Sequence, residues 1–100
     1  MGKDLRIIYI EFHQQANRVL FTLFNEFQHI IEVGGRRQYD SSFLAQKGDY
    51  ILKLKETLEQ AVKQTVSKYE DSENPEHLRL NLTAGIGYYV REFTRKSGLI

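Results

Sequence analysis

The chain has 100 residues, 41% of them hydrophobic and 27% charged, with a net charge of +1. That balance is ordinary for one folded domain spanning 1–100, and it excludes both a disordered chain and a global field that would draw nucleic acid or an anionic membrane. The absence of cysteine excludes disulfides and thiolate metal sites, and it fits a reducing compartment, so a cytoplasmic location is expected.

The opening residues, MGKDLRIIYIEF, hold a short apolar run broken by Glu11, with no small-residue cleavage site after it. Arg6 stands where a myristoylation motif has Ser or Thr. No uninterrupted apolar run approaches the roughly 18 residues that span a bilayer, so no membrane partner is expected.

Asp4 is placed to cap a first helix. Ile7, Ile8, Tyr9 and Ile10 also suit a strand, because they are mostly β-branched or aromatic. Leu5, Ile8, Phe12 and Val19 nonetheless continue the helical pattern that follows, so one helix is expected from Leu5 to Val33, about 43 Å long. Ala16, Leu20, Leu23, Phe27 and Ile30 form its apolar stripe at steps of four, three, four and three, and Val19, Phe24 and Ile31 widen it. Such a stripe must be covered by the rest of the chain.

Gly34 and Gly35 are expected to stop this helix in a left-handed turn, and residues 36–40 form a short polar return. The second helix is expected from Ser42 to Tyr69. Leu44, Ile51, Leu58, Val62, Thr65 and Tyr69 make one face, supported by Leu54, Ala61 and Val66. Gly48 followed by Asp49 marks an expected kink, since Gly costs about 1 kcal/mol in a helix interior. Lys55, Glu59 and Lys63 make i,i+4 pairs that mark a solvated side.

Asn74-Pro75 is the clearest helix start, with Asn as cap, Pro where no N–H is needed, and Glu76 at the positive end of the dipole. Leu78, Leu82, Ile86, Tyr89 and Phe93 follow with helical spacing, and Arg95, Lys96 and Gly98 close the segment. A rival strand pattern, Leu78 to Tyr88 in alternation, loses to the caps and the length. Gly85 and Gly87 fit a helix if a neighbour packs close against them.

The candidate sites are sparse. Glu26 and His29 form a Glu-x-x-His pair as in bundle di-iron sites, but one pair is too few and it falls opposite the apolar stripe. No metal and no cofactor is therefore expected. Asn81-Leu82-Thr83 matches a glycosylation acceptor by chance. His13, with Asn17 one turn later, shares the stripe side of the helix with Tyr9. It permits a phosphotransfer-type bundle as a third reading, behind a structural histidine in a helix interface. No nucleophile arrangement is present, and an enzyme is not expected.

Arg36, Arg37, Arg91, Arg95 and Lys96 would gather at one end of a three-helix bundle, near tyrosines. That is a weak nucleic-acid signal, offset by Glu32 and Glu92, and it supplies the second reading, a nucleic-acid-associated regulator. The acidic group Glu70, Asp71, Glu73 and Glu76 would lie at the other end. The expected fold is all-α: an antiparallel bundle of two long helices and a shorter third, completed by dimerisation. The first helix carries aromatic residues on more than one face, more than two partner helices hide. The first reading is thus a non-catalytic protein-interaction or regulatory module that pairs with itself, or with an unidentified protein, through Phe12, Phe21, Phe24, Tyr88 and Tyr89.

Overall fold

The structure is a computed structural model and describes residues 5–34, 41–69 and 74–98. It is an all-α bundle of three helices: α1 (Leu5–Gly34), α2 (Ser41–Lys68) and α3 (Pro75–Ser97). No strand occurs among the described residues, so both segments with strand-like alternation are helical. The bundle is a rod of 53 × 17 × 17 Å.

The helices form because each carries an apolar stripe that the other two cover. From α1, Ile8, Phe12, Ala16, Leu20, Leu23, Phe27 and Ile31 enter one continuous core. The stripe ends on Ile31 rather than Ile30, which is half-buried. Phe27 is fully buried where the three helices meet. Its ring centre lies 5.4 Å from that of Phe43 on α2 and 5.5 Å from that of Phe93 on α3. Both separations are typical of favourable aromatic pairs. At the other end of the rod, the Tyr69 hydroxyl donates to Glu11 at 2.5 Å.

α3 follows its expected pattern throughout. Leu78, Leu82, Ile86, Tyr89 and Phe93 are all buried, and Asn74 accepts from the His77 N–H at 3.0 Å as the N-cap. On α2 the expected face holds from Ile51 onward, with Ile51 and Val66 half-buried, and departs only at its start. Phe43 is buried and Leu44 is 55% exposed, while Leu54, Leu58, Ala61, Val62, Thr65 and Tyr69 complete the face.

The glycines depart from expectation. α2 runs unbroken through Gly48, so that residue starts no new helix. Gly98 does close α3 as its C-cap, in a right-handed conformation (φ −71°) with its N–H shared between the Thr94 and Arg95 carbonyls. Gly34 is the last residue of α1, and Gly35 lies outside the described residues, as do Asp4 and the acidic residues Glu70, Asp71 and Glu73. Gly85 and Gly87 accommodate no close helix. A Cβ on Gly85 meets nothing within 4 Å, and one on Gly87 meets only the Arg91 guanidinium at 3.4 Å.

Space is equally free around Gly48. Gly48→Ala and Gly85→Ala should therefore each raise the unfolding free energy, by up to about 1 kcal/mol, because alanine restricts the unfolded chain and suits a helix better. Urea denaturation followed by circular dichroism measures the change, and a loss of stability at either site would contradict the open space described.

Candidate functional site

The side of α1 turned away from α2 and the adjoining edge of α3 form the most distinctive surface of the molecule. Ile7, Ile10, Gln14, Asn17 and Phe21 follow along α1 at steps of three, four, three and four, which sets them on one side of the helix. None is charged. Ile10 is 58% and Phe21 50% exposed. The Lys96 ammonium sits 4.1 Å from the centre of the Phe21 ring, a cation–π contact that ties the end of α3 to α1.

His13 lies at the seam between α1 and α3, exposed but held at both ring nitrogens. Asn17 donates its amide to Nε2 at 3.0 Å. Nδ1 faces the Tyr89 hydroxyl oxygen at 2.6 Å. Tyr88 packs edge-on to Tyr89, ring centres 5.1 Å apart, and 6.3 Å from the His13 ring. Farther along the same seam, Asn81 donates to the Tyr9 hydroxyl and faces Nε2 of His77, both at 3.0 Å. Between His13 and His77 the seam is thus closed by side-chain hydrogen bonds. Tyr89 is only 4% exposed, and this burial, reinforced by repulsion from Tyr88, pushes its phenol above the ordinary tyrosine value. Asn81, the would-be glycosylation acceptor, stands within a helix with its amide engaged.

Of the five residues expected to meet a partner, the structure brings Phe21 and Tyr88 to the surface on this side. Phe24 is half-buried, edge-on to Phe93 at 5.7 Å. Phe12, 4% exposed, and Tyr89 are enclosed by the chain itself, because α2 and α3 cover those two flanks of the core. Sequence reasoning missed Ile7 and Ile10, which it weighed only as part of a strand-like run. The signal was their spacing to Phe21 with only Gln14 and Asn17 between.

The cationic residues are divided. Arg36 and Arg37 lie outside the described residues. Arg95 donates to Glu92 at 2.9 Å and holds that carboxyl below the usual carboxylate range. Lys96 covers Phe21, and Arg91 is exposed. Glu26 faces water, accepts from the Tyr50 hydroxyl at 3.4 Å and pairs with Lys53 at 3.8 Å. Among the described residues no group of three or more His, Asp or Glu could hold a metal, and no helix is long and apolar enough to cross a membrane.

On the far flank of α1, a groove of about 460 Å³ opens between α1 and the end of α2. Its walls include Glu11, Gln14, Arg18, Gln64 and Lys68. A smaller apolar recess beside Val19 and Thr57 shares Arg18 with it. No family model, curated protein or solved structure matches the chain.

The raised Tyr89 value has a sign that can be measured. A phenol that ionises less readily when folded leaves stability intact below about pH 10 and removes it as the pH climbs from there through the folded value. Tyr89→Phe should flatten this alkaline fall in stability between about pH 9 and 11, while Tyr50, also raised by burial and by Glu26, continues to contribute. Urea midpoints across that range measure the slope, and an unchanged slope would remove Tyr89 as a source of it.

Proposed function

We propose that the chain is a non-catalytic helical interaction module that associates with a second copy of itself through the uncharged outer side of α1. The single observation that carries this reading is the stripe Ile7, Ile10, Gln14, Asn17 and Phe21, five uncharged side chains of which Ile7, Ile10 and Phe21 are about half exposed. Interface centres are depleted in charged residues and enriched in aromatics, and Tyr88 at the adjoining seam extends the surface in that direction. An isolated exposed leucine, such as Leu44 or Leu52 on α2, needs no such explanation.

In this reading the bundle is up-down-up. Two pairings at opposite ends support α1 and α2 running antiparallel: Phe27 with Phe43 near the start of α2, and Glu11 with Tyr69 just past its end. Tyr9 with Asn81 and Phe24 with Phe93 support α3 running alongside α1 in the same sense. α1 then sits between two covering helices with its third side open, which is the side a second copy would take.

Sedimentation equilibrium over a micromolar range tests the proposal. The parent chain should weigh more than 11.8 kDa, and Phe21→Glu should return it to that mass with its helicity kept, since Phe21 is half-exposed and the core does not depend on it. A parent chain of 11.8 kDa throughout would end the self-association reading. A Phe21→Glu variant that associates as strongly as the parent would move the contact to another surface.

A further inference from the structure

Resting on that reading, we infer that two copies pair through antiparallel α1 helices, related by a two-fold axis between Gln14 and Asn17, with Glu11 of each copy joined to the partner's Arg18. Ile7, Gln14 and Phe21 are seven apart, and so are Ile10, Asn17 and Phe24. These are the two alternating seam positions of a heptad. Glu11 and Arg18 are also seven apart. They lie together on the α2 side of the seam, where both line the same groove.

Antiparallel pairing brings the same flank of both helices together. If Gln14 of one copy faces the partner's Asn17, then Ile10 faces the partner's Phe21, and Ile7 faces the partner's Phe24. The seam is about 26 Å long from the 1.5 Å rise per residue. Its ends set isoleucine against phenylalanine, with Lys96 beside each phenylalanine pair, and its centre brings the Gln14 and Asn17 amides side by side. In the same register Glu11 stands beside the partner's Arg18, twice over by symmetry.

The charge distribution supports this arrangement over a parallel pairing. Arg18 has no ion-pair partner among the described residues. Glu11 accepts from Tyr69 and lies 3.9 Å from Lys68, and the partner's Arg18 would join that cluster as a second cation. A parallel pairing would set Arg18 against the partner's His13 and leave it without a carboxylate. The groove beside Glu11 is where the partner's Arg18 would be received.

The test is a charge exchange in the full chain, read by sedimentation equilibrium. Arg18→Glu places Glu11 against a second carboxylate, and Glu11→Arg places two guanidiniums together. Each variant alone should dissociate about tenfold more readily than the parent, since two exposed pairs turn from attraction to repulsion. An equimolar mixture of the two restores both pairs and should associate like the parent. Should Glu11→Arg lose helicity, single Gln14→Cys and Asn17→Cys variants replace it. Mixed and oxidised, they should form a disulfide with each other faster than either forms with itself, in a chain that has no other cysteine.

A dimeric parent whose mixed charge variants associate no better than each alone, or whose single-cysteine variants link chiefly to themselves, overturns the antiparallel register and leaves self-association standing. A parent that stays monomeric up to about 100 µM overturns both.

Discussion

Phe27 is where the three helices are held to one another. Its ring is dry and lies against Phe43, Tyr50 and Phe93, so it touches both covering helices at one height. A chain of this length buries only a modest core, and concentrating aromatic area at one crossing gives that core a fixed register. Everything farther along the rod follows from that register. Phe24 meets Phe93 one turn away, the His13 ring comes opposite Tyr89, and Glu11 comes under Tyr69 at the far end.

Two coverings leave a third side. α2 and α3 between them enclose most of the aromatic surface that the first helix presents, more than its composition implied. What they leave is not a broad greasy face but a narrow line of isoleucine, amide and phenylalanine, with the polar seam of His13, Asn17 and Tyr89 beside it. The His13 nitrogens are both directed at neighbours in the chain. The geometry favours a histidine that fastens α3 to α1 over one held ready for chemistry.

The legibility of the sequence varied with how much local information each segment held. α3 was readable residue by residue because its cap, its proline and its apolar spacing agree. α1 was readable in type and extent because its helical stripe is long enough to outweigh the strand-like run at its start. On α2 the stripe is sparse and Gly48 interrupts it, so the spacing pointed to Leu44 where the structure buries Phe43 against the Phe27 ring. The role of the glycines was hidden for a different reason. A missing Cβ signals close approach only where something approaches, and no helix does at Gly48, Gly85 or Gly87. The candidate surface was half legible. Phe21 and Tyr88 stood out as aromatics off the main stripe, whereas Ile7 and Ile10 were disguised by their own hydrophobicity.

The terminal turns of the helices differ in kind. α3 has an acidic residue in its first turn and basic residues in its last, whereas α1 has neither. The helical state of α1 therefore leans on the neighbours that cover its stripe. During synthesis it leaves the ribosome before either neighbour exists, and the ring that faces Phe24 is made some seventy residues later. The most adhesive segment of the chain is the one that waits longest for its shelter. A nascent chain halted before Phe93 would present that surface to whatever binds unfinished proteins.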